Sequence, residues 1–188
     1  MRITKSDKFM VDKNLQERSN QEIYQKGLRD YADWLRRQIE YYRQATEKVT
    51  RYNLKAGEVF EFDFGINVNA ETSNRHYGVV LTDSGPMNPI VLVMPLKSSK
   101  HGINKNSDLD IGFLPGLDTY SRTIAVVNQT RPLDKFRIYT KNVINANGTR
   151  QFGNDDTEDY YQLRLTDDQL KLCINAYLDY VEFGSFNN

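Results

Sequence analysis

Two repeating patterns of apolar positions divide the chain. Over residues 20–52 the apolar side chains recur every three or four residues, as on one face of an amphipathic helix. From Gly57 the spacing changes to two, which is typical of a strand. The sequence therefore predicts a helical extension over residues 1–56, followed by a strand-rich domain over residues 57–188.

The predicted helix is long for the domain that follows it. Thirty helical residues would reach about 45 Å, so part of the helix should overhang or cross onto a second copy of the chain. The simpler prediction is that its apolar stripe covers the chain's own core. Residues 1–19 are polar and aperiodic, which predicts an irregular lead-in. The stripe consists of Ile23, Leu28, Tyr31, Leu35, Ile39, Tyr42, Ala45, Val49 and Tyr52.

Short strands are predicted over residues 57–145. Phe60, Phe62 and Phe64 alternate with Glu61 and Asp63 along the first strand, and the two carboxylates are expected on its solvated side. Later β-branched runs, HYGVVL and IVLVMPL, are typical of strands buried on both faces, and SRTIAVVNQT predicts a further strand. Their spacing favours a small antiparallel barrel in a chain of the α+β class that is mainly β.

The last forty residues predict a loop and a capped helix. Residues 146–163 are polar and acidic, and are expected to form a loop between the barrel and a helix over residues 164–184. Thr166 and Gln169 have capping-box spacing, and Gly184 is a natural helix end. The predicted apolar face, which makes its cysteine a core residue, comprises Leu170, Cys173, Ile174, Tyr177, Leu178 and Val181.

The amino-acid composition excludes several classes of binding and metal site. The 25 basic and 25 acidic residues balance, which argues against coating nucleic acid by bulk charge. One cysteine and two histidines leave little for a disulfide framework or a metal site, and we expect no metal and no organic cofactor. No apolar run approaches 18 residues, and the first residues do not resemble a signal peptide. We expect a cytoplasmic protein without a membrane partner.

Charge is nevertheless uneven along the chain. Residues 1–56 carry 13 basic and 8 acidic side chains, whereas residues 151–188 carry 2 and 8. The two ends are expected to be solvated or packed on each other. Alternatively, the basic end meets RNA or an acidic partner.

Three blocks of sequence, in order, resemble the MazF/PemK family of toxins. VLVMPLKSS resembles the family's valine-rich strand that ends in Pro-Leu-Thr-Ser, and VVNQTRPLDKFRI resembles a strand that ends in Asn-Gln before an Arg-Ile segment. The family's opening hairpin is matched by Gly57, Glu58, Val59, Asp63, Phe64, Gly65, Asn67, Glu71, Arg75 and His76.

The resemblance implies a fold and an activity. The fold would be an SH3-like, PemK-type barrel with a C-terminal helix. The chain would be the toxin of a type II toxin–antitoxin system, a metal-independent endoribonuclease that cuts single-stranded mRNA at short motifs. It would act as a homodimer and be inhibited by a cognate antitoxin protein.

The resemblance also nominates site residues. Arg75 suits a phosphate grip, His76 a general base or acid, and Lys97 and Ser98 supply a cation and a hydroxyl where the family has a Thr or Ser. Because neighbouring strand residues point to opposite faces, Arg75 and His76 should both face the site only on a loop. RNA contacts are expected from Asn67, Glu71, Ser99, Asn128 and Gln129. Tyr77, Phe113 and Tyr120 could stack bases, although a position in the core is favoured for them, and His101 is expected to be an incidental loop residue.

Two alternatives stay open. The chain could be a non-nuclease relative that binds RNA or regulates, or a CcdB-like protein that poisons gyrase by protein contact. Lys97 in the hydroxyl position favours these alternatives, as do Val126 and Asn128 where some members have Arg and Asp. Ser98, Arg75 and Gln129 favour the nuclease.

Overall fold

The chain forms two compact units, Met1–Arg43 and Gln44–Asn188. The computed structural model describes residues 5–46, 53–67, 71–114, 116–117, 120–140, 142–145, 150–152 and 160–184. The class is α+β, with a long N-terminal helix, an antiparallel sheet of seven strands and a C-terminal helix. The prediction that the chain is mainly β is wrong for the described residues, because two helices of 42 and 17 residues contain more residues than ten short strands. Only the second unit is rich in strands.

The described residues of the first unit all belong to one helix, α1 (Lys5–Thr46). It begins fifteen residues earlier than the periodic pattern does, so the irregular lead-in is wrong for residues 5–19. That stretch contains neither glycine nor proline, and a polar segment of this kind can be helical without an apolar period. Its 42 residues span about 63 Å.

The apolar stripe of α1 is exposed. The following large side chains keep between 43% and 74% of their surface: Ile23, Leu28, Tyr31, Leu35, Ile39 and Tyr42. That they cover the chain's own core stays a prediction. Ala45 is also exposed, and the predicted members Val49 and Tyr52 lie outside the described residues.

The second unit contains the sheet. Its strands are β1 (Val59–Asp63), β2 (Arg75–Val80), β3 (Ile90–Ser98), β4 (Asp108–Gly112), β5 (Thr123–Val126), β6 (Arg131–Asp134) and β7 (Ile138–Thr140). The order is β4-β5-β3-β2-β1-β7, and β6 pairs with the first half of β3. The second half of β3 pairs with β5. No pairing joins the outer strands β4 and β7 in the described part of the chain, so this sheet is open and does not form a closed barrel.

Strand β1 is buried on both faces. Val59 belongs to an apolar cluster that includes residues of the C-terminal helix, whereas Phe60, Phe62 and Phe64 belong to a second cluster. Asp63 is fully buried, so its assignment to a solvated side is wrong, and Glu61 is half-buried. The Asp63 carboxylate accepts a hydrogen bond from the amide of Gly65 (2.9 Å), which turns the chain out of the strand.

The C-terminal helix α2 (Asp167–Phe183) confirms the predicted signals at both of its ends. Thr166 and Gln169 form the reciprocal capping box, and Gly184 ends the helix with φ of +69°. Cys173 is buried, and burial raises the pKa of its thiol to about 12, as fits a core residue. The predicted apolar face is wrong beyond Tyr177, because Leu178 and Val181 are exposed.

The predicted acidic loop contains strands. A second sheet has the order β10-β8-β9, formed by β8 (Asn142–Asn145), β9 (Arg150–Phe152) and β10 (Tyr160–Gln162). The loop prediction over residues 146–163 is therefore wrong at β9 and β10. Backbone pairing satisfies the main-chain groups of polar segments as well as apolar ones. Among the described helices, none is both long and apolar enough to cross a membrane.

Candidate functional site

A cavity of about 270 Å³ opens where β2 and β3 separate. The pairing of these strands ends at Gly78 and Pro95, after which β3 pairs with β5. A proline has no amide hydrogen to donate to a ladder, which is consistent with the separation starting there. The lining residues are Glu61, Arg75, His76, Tyr77, Leu96, Lys97, Ser98, His101, Leu117, Ser121, Arg122 and Thr123.

The cavity brings together all four residues nominated for catalysis. Arg75 and His76 come from β2, and Lys97 and Ser98 from the end of β3. Arg75 and His76 are the first residues of β2 and not loop residues, so the expectation that only a loop allows both to face the site is wrong. Both are exposed at the end of the strand, where side chains from opposite faces can reach the same opening.

Aromatic rings border both residues. The Arg75 guanidinium lies over the ring of Tyr139, with 3.2 Å between its central carbon and the ring centroid. The His76 ring is 6.5 Å from that of Phe64, between centroids, in an edge-on arrangement. The guanidinium plane is therefore supported from one side, while the residue remains exposed to a ligand.

The environment lowers the pKa of His76. Desolvation of its ring is the main cause, and the positive charge of His101 lowers the pKa further. A hydrogen bond with the Ser73 backbone and the charge of Glu61 act in the opposite direction. The imidazole is therefore neutral at pH 7, and a neutral imidazole can accept a proton.

Lys97 is held by a buried carboxylate. Its Nζ lies 2.6 Å from Oδ2 of Asp108, whose side chain keeps 1% of its surface, compared with 26% for Lys97. The same carboxylate oxygen accepts a hydrogen bond from the amide of Asn104 (2.7 Å). The ammonium is thus fixed in position at the cavity wall.

Ser98 connects the cavity to the following 3-10 turn, Ser99–His101. Its Oγ accepts a hydrogen bond from the amide of Lys100 (3.2 Å) and caps the turn. The turn places His101 at the cavity, so this histidine is not incidental to it. Ser99 does not line the cavity, and its amide donates to the carbonyl of Arg122 (2.9 Å).

Arg122 is a cavity residue that the sequence reasoning missed. Its Nε donates to Oδ2 of Asp110 (2.6 Å), and this hydrogen bond is the main reason that the pKa of Arg122 is raised. Its guanidinium lies over the ring of Phe113, 5.7 Å from the centroid. Only the pairing of β4 with β5 brings Asp110 and Arg122 together, so no local sequence signal reveals them.

Two of the five residues nominated for RNA contact lie in a different cluster, the loop anchor, which consists of Asn67, Gln129 and Arg131 around the backbone of Thr72. Asn67 Nδ2 donates to the carbonyls of Phe64 (3.0 Å) and Thr72 (2.6 Å). Arg131 Nη2 donates to the same two carbonyls (3.2 and 3.0 Å), and Gln129 Oε1 accepts from the Thr72 amide. The anchor fixes the segment between β1 and β2 to the sheet.

The other two nominated residues are exposed. Glu71 lies in the anchored segment, where its carbonyl accepts a hydrogen bond from the Ser73 hydroxyl (3.2 Å). Asn128 lies on a 3-10 turn, Val127–Gln129, that follows β5. Neither lines the cavity. The nominated residues thus include two groups. The cavity group is Arg75, His76, Lys97 and Ser98, and the loop group is Asn67 and Gln129.

Comparisons with known proteins do not assign a family. No protein-family model matches the chain, and no curated protein matches its sequence. In the described ranges, no three His, Cys, Asp or Glu side chains are grouped as a metal site would require.

Proposed function

We propose that the chain is a metal-independent endoribonuclease of the PemK type, the toxin of a type II toxin–antitoxin system acting on cytoplasmic single-stranded mRNA. The supporting observation is that Arg75, His76, Lys97 and Ser98 line one cavity. The sequence resemblance nominates these residues from two separate segments, without reference to any contact between them.

The cavity offers the groups that metal-free RNA cleavage requires. The 2′-hydroxyl of the substrate attacks the adjacent phosphorus, so that the bond from O2′ to phosphorus forms and the bond from phosphorus to O5′ breaks. His76, neutral at pH 7, accepts the 2′-hydroxyl proton. The departing 5′ oxygen takes a proton from solvent. The products are a 2′,3′-cyclic phosphate and a 5′-hydroxyl.

Arg75, Lys97 and Ser98 stabilise the charge that develops on phosphorus. A guanidinium can bind two phosphate oxygens with parallel hydrogen bonds, and the Tyr139 ring supports its plane. Lys97 adds a cation whose position Asp108 fixes, and fixed charges stabilise a transition state without reorganising. The Ser98 hydroxyl accepts from Lys100 and keeps its own hydrogen for a phosphate oxygen.

The test is cleavage of a long single-stranded RNA in excess EDTA, with the 3′ ends mapped chemically. We expect cuts at a short repeated motif that leave a 2′,3′-cyclic phosphate, and a loss of about 100-fold or more in Arg75→Ala. Arg36→Ala, which changes an exposed arginine of α1, is the matched control and should cut normally. Equal cleavage by Arg75→Ala and wild type would refute the site.

One observation favours a second candidate, an RNA-binding or regulatory relative without nuclease activity. Lys97 stands where the family has a hydroxyl, and its ammonium is paired with Asp108. A folded wild-type protein that binds RNA but leaves it intact would support this candidate. Gyrase inhibition without RNA binding would instead support the CcdB-like alternative.

We also propose a homodimer formed through α1, with a second copy as the occupant of its exposed stripe. Tyr24, Leu28, Tyr31 and Leu35 follow the alternating four- and three-residue spacing of a coiled-coil seam, and all are exposed. The double variant Leu28→Glu, Leu35→Glu should be monomeric by light scattering, and Lys26→Glu should remain dimeric. A dimeric double variant would refute the seam.

The cognate antitoxin remains a proposal that rests on the resemblance. The cavity's cations, Arg75 and Lys97, would suit an acidic segment of such a partner.

A further inference from the structure

Two arginines of the cavity are each stacked on an aromatic ring. Arg75 lies over Tyr139, and Arg122 lies over Phe113. Both arginines line the cavity, and both rings are part of the protein surface. The cavity therefore contains a second stacked arginine, Arg122, beside Lys97 and Ser98. The proposed cleavage reaction gives Arg122 no role.

The Nε of Arg122 is already engaged. It lies 2.6 Å from Oδ2 of the Asp110 carboxylate, and the guanidinium lies over the ring of Phe113. Arg122 and Phe113 together present a flat guanidinium and a phenyl ring. Phe113 keeps 53% of its surface and Tyr120 keeps 90%, so neither is the core residue that the sequence favours.

Phe113 is held in place by the C-terminal helix. Gln169 Nε2 donates to the carbonyls of Ile111 (2.7 Å) and Phe113 (3.2 Å). Gln169 is itself fixed as a member of the capping box of α2. An exposed ring on a backbone fixed in this way loses little conformational freedom when a flat ligand stacks on it.

We infer that Phe113 and Arg122 form a stacking platform for an unpaired RNA base adjacent to the phosphate in the cavity. This inference rests on the proposed function, and it assigns a position to a base of the RNA substrate. Every base has a π-face, so a platform of this kind accepts single-stranded RNA with little sequence preference. A base inside a duplex has no free face, which makes the platform selective for single strands.

The test measures binding of a fluorescein-labelled 12-nucleotide 2′-O-methyl RNA, which cannot be cleaved, by anisotropy in EDTA at several salt concentrations. We expect Phe113→Ala to weaken binding by roughly 5- to 100-fold and to leave the salt dependence unchanged, because no phosphate contact is lost. Arg75→Ala should instead reduce the slope of log affinity against log salt by about 1. Phe183→Ala, which removes an exposed ring at the end of α2, is the control and should bind like wild type.

An oligomer of the same length without bases separates stacking from backbone contact. It should bind wild type and Phe113→Ala equally, and Phe113→Leu should behave like Phe113→Ala with the full RNA while keeping the wild-type melting temperature. Unchanged RNA binding by a folded Phe113→Ala overturns the platform, and the proposed function survives if wild type still cuts RNA. A folded wild type that neither binds nor cuts RNA overturns both. If Phe113→Ala weakens binding of the oligomer without bases as much as it weakens binding of the RNA, base stacking on Phe113 is refuted.

Discussion

Arg75 and Arg131 have the same side chain and similar aromatic neighbours, but their surroundings give them different roles. Arg75 is exposed above the Tyr139 ring and lines the cavity. Arg131 is half-buried, 5.0 Å from the centroid of the Phe64 ring, and donates two hydrogen bonds to backbone carbonyls. Burial is the main cause that lowers the pKa of Arg131. One arginine is positioned to meet a ligand, and the other is used to hold a loop.

The same difference separates the two groups of nominated residues. The cavity group lines an opening that a ligand can enter, whereas the amides of Asn67 and Gln129 are engaged with the backbone near Thr72. Residue type alone therefore does not separate binding from scaffolding, because an amide or a guanidinium serves either purpose. The hydrogen-bond and ion-pair partners of a side chain decide whether it binds a ligand or holds the backbone, and the fold determines those partners.

The largest expected effect is on catalysis through Arg75. Arg75→Ala should lower single-turnover RNA cleavage by about 100- to 1,000-fold, since it removes a donor to the transition state. Its free energy of unfolding in urea should change by less than about 0.5 kcal/mol, because the residue is exposed. A marked loss of stability with intact cleavage would assign Arg75 a scaffolding role like that of Arg131.

The converse effect is expected for Arg131. Arg131→Met should lower the free energy of unfolding by about 2 kcal/mol, as it removes two partly buried hydrogen bonds. Cleavage per folded molecule should fall by less than about tenfold, because the cavity is lined by other residues. Arg131→Lys keeps the charge without the planar fork and should be intermediate in stability. Unchanged urea unfolding in Arg131→Met would show that the anchor does not depend on it.

The sequence predicts those features of the fold that depend on residues close together in the chain. The capping box of Thr166 and Gln169 was found because both of its residues lie within one helical turn. Alternation along β1 was also correct, but the pattern could not say that both faces are buried, and Asp63 was therefore misplaced. The sequence predicts too late a beginning for helix α1, because the first turns of the helix lack an apolar period.

Only some residues of the candidate site could be predicted from the sequence. Arg75 and Lys97 follow from motifs that are continuous in sequence. Asp108 and Arg122 belong to the same wall only because β5 pairs with both β3 and β4, a non-local arrangement. The separation of strands after Pro95, which creates the cavity, likewise depends on which neighbour β3 takes next.

A smaller effect is expected from pH. Because His76 has a pKa below the ordinary value of 6.5, its neutral form persists as pH falls through 6.5. Cleavage should therefore stay level from pH 8 to below 6.5 and then fall about tenfold per pH unit as the base becomes protonated. His76→Gln should show a low rate without this acid limb. An acid limb above pH 6.5 in the wild-type profile would contradict the assignment of His76 as the base.

The smallest effect, and the sharpest test of the loop group, is expected for Gln129. Its Oε1 accepts a hydrogen bond from the Thr72 amide, so Gln129→Ala should cost about 1 kcal/mol of unfolding free energy. The sequences at the cleavage sites should not change, because an amide engaged with the loop does not read base edges. Asn128→Ala, its exposed neighbour, is the matched control for stability and should unfold like wild type. Altered cleavage sites in Gln129→Ala, mapped by sequencing the RNA ends, would move Gln129 back among the RNA-reading residues and remove the distinction between the two groups.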